Sequence, residues 1–228
     1  MMHTTLARQV VLNEATTPAG DTLGSLLRGA TPVDLVLAQA MGGDWPARLR
    51  DIEARLIECE ASAAKIEAMT ATLALTGLEE AGRCLGELLS IVQRRGGRCL
   101  NLRFPDLYGQ GAADPFDRYQ SSFNHVFHLL SQSRFEAEAA GVSVALEVAW
   151  GGFLLSPVEA RELIDSANSW SVGACVDLAT LGDELRALDW LHTLRGRVRC
   201  VRTTDPQDAA LNEVLEVAGF EGTVVALG

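Results

Sequence analysis

Eight short runs of largely apolar, strand-forming residues recur along the chain, each separated from the next by a longer stretch that carries a helix or loop pattern. They are "RQVVLN" (8–13), "VDLVLAQ" (33–39), "KIEAMTATL" (65–73), "RCLNLRF" (98–104), "VSVALEV" (142–148), "VGACVDL" (172–178), "VRCVRTT" (198–204) and "GTVVALG" (222–228). Parallel strands require right-handed crossovers, and eight successive βα units close on themselves, so the pattern predicts one (β/α)₈ barrel domain over residues 1–228. An open doubly wound sheet is the alternative. The sequence ends directly after the eighth run, so an eighth helix is not expected. A groove left there would need a cover, and a homodimer is the expected way to supply one.

Helix boundaries are legible between the strands. "DTLGSLLRGA" opens on Asp21, and "SPVEARELIDSAN" opens with Ser156 as a cap and Pro157 in the first turn. Gly96, Gly141, Gly196 and Gly219 each follow a helical segment, where a left-handed residue ends the helix. The clearest amphipathic helices fall at 47–62, 78–95 and 118–140.

Composition narrows the partners. A net charge of −11 disfavours nucleic acid and anionic membranes, and no apolar run reaches the roughly 20 residues of a membrane span. Arg94, Arg95 and Arg98, and likewise Arg195, Arg197 and Arg199, read as loop charge where a helix turns into a strand. Five widely spaced cysteines offer neither a disulfide framework nor a metal pair, and the N-terminus lacks a signal-peptide core, so a cytoplasmic protein with reduced thiols is expected.

In such a barrel the chemistry sits at the C-terminal strand ends. Those ends carry Asn13 or Glu14, Gln39, Thr70 or Thr72, Arg103, Glu147, Asp177, Arg202 or Thr204, and Leu227. On strand 5 the inward positions are Ser143, Ala145 and Glu147; on strand 6 they are Gly173, Cys175 and Asp177. A one-residue slip of strand 7 would turn Arg199 inward in place of Arg202.

The stretch "VALEVAWGGFLLSPVEARELIDSANSWSVGACVDLATL" resembles the glutamate strand, Ser-Pro helix and aspartate strand of the xylose isomerase-like barrels, which include sugar isomerases, sugar epimerases and endonuclease IV-type repair enzymes. "RCVRTTD" and "EVLEVAGFEGTVVAL" carry a weaker echo. The resemblance implies a divalent metal held by a Glu, an Asp, a His and a second Glu on strands 5 to 8. Glu147 and Asp177 match the first two, but Arg202 stands at the histidine position and Leu227 or its neighbour at the last glutamate. Thr180 replaces the histidine that follows the strand-6 aspartate by three residues. Arginine keeps its proton and has no lone pair for a metal. The expectation is therefore a metal-free site without a cofactor, in which the Arg202 fork spans Glu147 and Asp177.

The implied activity is that of a sugar isomerase or epimerase on a small polyhydroxylated ligand. Glu147 and Asp177 would be acid and base, Arg202 and Arg103 would stabilise negative charge, and Trp150 and Gln39 would contact the ligand. The competing reading is a catalytically silent barrel that binds a ligand or protein through the same mouth. Individually, strand-end carboxylates serve as caps and Arg103 as a salt-bridge partner just as readily. His125 and His128 read as helix-surface residues, and "GGDWP" (42–46) as a turn or small lid.

Overall fold

The computed structural model describes residues 4–12, 32–37, 41–58, 65–74, 77–104, 115–148, 154, 156–181 and 184–227. Eight parallel strands close in chain order: β1 (Thr5–Leu12), β2 (Val33–Leu37), β3 (Ile66–Thr72), β4 (Cys99–Arg103), β5 (Ser143–Val148), β6 (Val172–Asp177), β7 (Val198–Thr203) and β8 (Thr223–Ala226). Pairing of β1 with β8, from Thr5↔Thr223 to Arg8↔Ala226, completes the cylinder and excludes the open sheet.

Around the cylinder lie seven helices among the described residues: α1 (Trp45–Glu58), α2 (Leu78–Arg94), α3 (Pro115–Ala140), α4 (Pro157–Ser166), α5 (Leu178–Leu181), α6 (Glu184–Leu194) and α7 (Ala209–Val217). No helix follows β8 among the described residues. The helix expected from Asp21 lies outside them. None of the helices is long and apolar enough to cross a membrane.

The strands are apolar on both faces because both are covered. β2 and β6 are buried along their full length, the pattern of a parallel sheet wrapped by helices. Outward residues such as Leu35, Leu37, Met69 and Leu146 pack on helix residues such as Leu85, Leu88, Leu129 and Ile164 in one continuous core, each contributing roughly 1.5–3 kcal/mol by leaving water. Inside the cylinder the residues are small: Ala7, Ala68, Cys99, Ala145, Cys175, Cys200 and Val225 form a separate apolar layer.

Helix ends follow their local chemistry. Ser156 Oγ accepts from the Glu159 amide at 3.2 Å while the Glu159 carboxylate accepts from the Ser156 amide at 3.1 Å, a complete capping box on α4. Gly96, Gly141, Gly196 and Gly219 all adopt positive φ, between 64° and 75°. "GGDWP" forms the turn into α1, with the Trp45 amide donating to the Gly42 carbonyl and the indole buried in the core.

Two strands carry register shifts: one between Val33↔Ile66 and Asp34↔Ala68, which leaves Glu67 as the extra residue on β3, and one between Ala174↔Val198 and Cys175↔Cys200, which leaves Arg199 as the extra residue on β7. Cys200 and Arg202 therefore both sit on the inner side.

Candidate functional site at the barrel mouth

Arg202 is the largest completely buried side chain among the described residues. The small layer of Ala145, Cys175 and Cys200 gives its guanidinium room inside the cylinder. From β7 it reaches three other strands. Nη1 donates to Glu147 Oε2 on β5, while Nη2 donates to Asp34 Oδ2 on β2 at 2.9 Å and to Thr70 Oγ1 on β3. Thr70 Oγ1 in turn donates to Asp34 Oδ1 at 2.9 Å and accepts from Asn101 Nδ2 at 3.2 Å. Burial works against the charge on Arg202, but the acidic groups around it, Cys175, Asp34 and Glu147, outweigh that effect and hold the guanidinium above the usual arginine range.

Glu147 is clamped from both sides. Its other oxygen, Oε1, accepts from Arg103 Nε at 2.5 Å; the Glu147 side chain is 9% exposed and the Arg103 side chain 35%. Both carboxylate oxygens are thus engaged by guanidinium groups. Arg103 is a strand-end salt-bridge partner that also faces the mouth.

Asp177 is where the structure departs from the expected arrangement. It does not share the Arg202 fork; the second carboxylate there is Asp34. The reason is local. Asp177 ends β6 directly before the short helix α5, and its Oδ1 accepts from the Thr180 amide at 3.3 Å, satisfying one of the free donors of that helix start. Burial raises its pKa and the nearby Glu147 carboxylate adds to the rise, while Arg202 opposes it.

Above the clamped pair, a cavity of about 420 Å³ opens at the strand ends, lined by Gln9, Thr72, Arg103, Asp177, Thr180 and Leu227. Gln39, Trp150, Asn13 and Glu14 lie outside the described residues. A wider groove of about 1010 Å³ runs along the outer wall between α2 and α3, past Gly86, Gln132 and Glu136, and holds none of these strand-end groups.

Asp34 and Asn101 are the site residues that the strand-end reading passes over. Both sit one layer below the rim, fully buried. The available signal is chemical: each is a polar side chain inside an otherwise apolar strand, in "VDLVL" and "CLNLR", and a buried carboxylate demands a cation.

Among the described residues, the donor set does not suit a divalent ion. No group of three or more His, Cys, Asp or Glu side chains is placed to hold a metal among the described residues. The Arg202 guanidinium already occupies Glu147, and it brings positive charge without a lone pair.

No protein-family model matches the chain, and no curated protein does. Solved structures do. The crystal structure of the 3-keto-D-glucoside 4-epimerase YcjR from E. coli superposes with a TM-score of 0.67 at 16% identity, over 99% of this chain and 92% of that one. A family 2 AP endonuclease from Brucella melitensis gives 0.68 at 16% identity, with the same coverage of 99% and 92%. The D-psicose 3-epimerase of Clostridium cellulolyticum H10, solved with D-tagatose, gives 0.63 at 13% identity, over 100% and 84%. The chain shares the closed (β/α)₈ barrel fold of these two sugar epimerases and of the AP endonuclease.

Proposed function

We propose that this barrel binds a small polyhydroxylated ligand of sugar or sugar-phosphate type in its C-terminal mouth, without a divalent metal, and that it acts as a binding protein. The carrying observation is the double clamp on Glu147. Each oxygen of Glu147 is committed to a guanidinium, one to Arg103 and the other to Arg202, so taking a proton from a substrate carbon would weaken both ion pairs. Arg202, fully buried and bonded to Glu147, Asp34 and Thr70, does not reach a ligand and serves to position Glu147. Arg103, Asp177, Thr72 and Gln9 line the cavity and supply the polar contacts that hydroxyl groups need. Fold alone does not assign chemistry. The similarity to an epimerase solved with D-tagatose makes ketohexoses the first ligands to try.

One observation favours a second reading, a one-base isomerase. Asp177 lines the cavity, and burial together with Glu147 lifts its pKa toward the range useful for proton transfer. The experiment is a D-tagatose titration in EDTA by calorimetry, paired with ²H incorporation into the sugar in D₂O. Saturable binding without incorporation, weakened about tenfold or more in Arg103→Ala, is expected from the loss of a charged hydrogen bond. Incorporation that disappears in Asp177→Asn selects the isomerase instead. Absence of binding to any member of a ketohexose panel contradicts both readings.

A further inference from the structure

A second concave site lies at the opposite, N-terminal end of the barrel. A cavity of about 340 Å³ there is lined by Arg98 before β4, Ser143 at the start of β5, Trp170 before β6, and Arg195 and Arg199 around the start of β7. In a chain with 19 basic and 30 acidic side chains, three guanidiniums line this one space, against the single carboxylate of Glu221.

The local backbone is shaped around Arg199. The register shift on β7 falls on this residue, and such an extra residue re-aims a side chain. On the neighbouring strand, β6 gives up its own side chain: a Cβ on Gly173 would lie 2.5 Å from Arg199 Cγ and 2.3 Å from the Arg197 carbonyl oxygen. Gly222, directly before β8, leaves room for the backbone of Arg199: a Cβ there would fall 2.4 Å from the Arg199 carbonyl oxygen. Gly173 and the bulge thus make space for the Arg199 side chain, and Gly222 for its backbone.

Among the described residues, the acceptors of Arg199 are neutral. Its Nη1 donates to the Gly196 and Val198 carbonyls, both at 3.2 Å, and its Nη2 to the Trp170 carbonyl at 2.7 Å. Burial and the adjacent Arg197 both pull its pKa below the usual arginine value. A partly buried cation with only carbonyl acceptors is stabilised by any anion that reaches it. The neighbouring arginines differ. Arg197 is matched by Asp165 at 2.6 Å, and Arg98 Nε stands 3.9 Å from Glu67, a carboxylate that Lys65 also approaches at 2.5 Å. Half-exposed Arg98 and exposed Arg195 can swing onto a ligand, and the exposed indole of Trp170 forms a wall beside them.

We propose that this pocket binds the phosphate group of a small phosphate monoester, with Arg199 beneath it, Arg98 and Arg195 at its sides and the Ser143 hydroxyl as a further donor. Three guanidinium groups and a hydroxyl match a tetrahedral dianion better than a planar carboxylate. The site is remote from the mouth, so its occupancy does not depend on what the mouth binds.

The test uses inorganic phosphate as the probe, with the full chain at constant ionic strength set by sodium chloride. Binding is followed by calorimetry and by tryptophan emission, with Trp170→Phe identifying the reporting ring. Saturable binding is expected, weakened at least tenfold in the Arg98→Gln/Arg195→Gln double variant, whose substitutions are on the surface and leave the core intact. Arg199→Lys, which keeps the charge but loses the planar fork, weakens binding too. Arg103→Ala, at the other end of the barrel, leaves phosphate affinity unchanged. No saturable binding, binding unaltered in the double variant, or binding abolished by Arg103→Ala would overturn the proposal.

Discussion

Replacing Arg202 by methionine leaves Glu147 and Asp34 without the guanidinium that bridges them. A buried carboxylate that loses its counter-charge costs about 3–5 kcal/mol, so Arg202→Met lowers the unfolding free energy by that amount, read as a lower urea midpoint, and a midpoint equal to wild type refutes the role given to the cluster. Asp177 makes the opposite prediction. Its folded pKa is raised above the unfolded value, so as pH climbs through the unfolded and then the folded pKa, the unfolded chain releases its proton first and the native state loses stability. Asp177→Asn removes that loss while an amide oxygen still accepts from Thr180. The variant is expected to be more stable than wild type at pH 7, with the difference closing below the unfolded carboxylate range, near pH 4; urea titrations at the two pH values measure it. At this scale the sequence pointed to Arg202 meeting Glu147, as the structure has it, but named Asp177 and not Asp34 as the second carboxylate. Asp34 and Arg202 are 168 positions apart, and Asp177 turned to its own helix start because a carboxylate at that place satisfies a nearby amide first.

At the level of elements, the capping box on α4 is the clearest local determinant. Ser156→Ala removes the Oγ that accepts from the Glu159 amide, while the backbone amide of residue 156 can still donate to the Glu159 carboxylate; the loss is expected to cost about 1 kcal/mol, read as a lowered thermal midpoint, and a variant as stable as wild type contradicts the assignment. Most element positions were legible because each strand is short and apolar and most of the helices end on a glycine or open on a capping residue. The exceptions are physical. β1 begins at Thr5, not Arg8, because Thr5, Leu6 and Ala7 gain partners only when Thr223, Val224 and Val225 arrive beside them. That pairing is a property of closure and leaves no local mark. The extra residues at Glu67 and Arg199 are equally invisible, since a bulge is defined by the register of two strands.

The whole molecule is a closed cylinder that stacks three environments along its axis. At one end is an arginine-lined floor, in the middle a small apolar layer crossed by one buried guanidinium, and at the other end a polar mouth. The cylinder was legible from eight repeats, and the shared fold with sugar epimerases at 10–16% identity agrees with it. The central proposal is that the interior cation, Arg202, stands where the resemblance implies a metal. The most direct measurement of that claim is a D-tagatose titration by calorimetry, run once in EDTA and once with excess Mn²⁺. The account predicts the same affinity in both; binding that appears only with Mn²⁺ would contradict it.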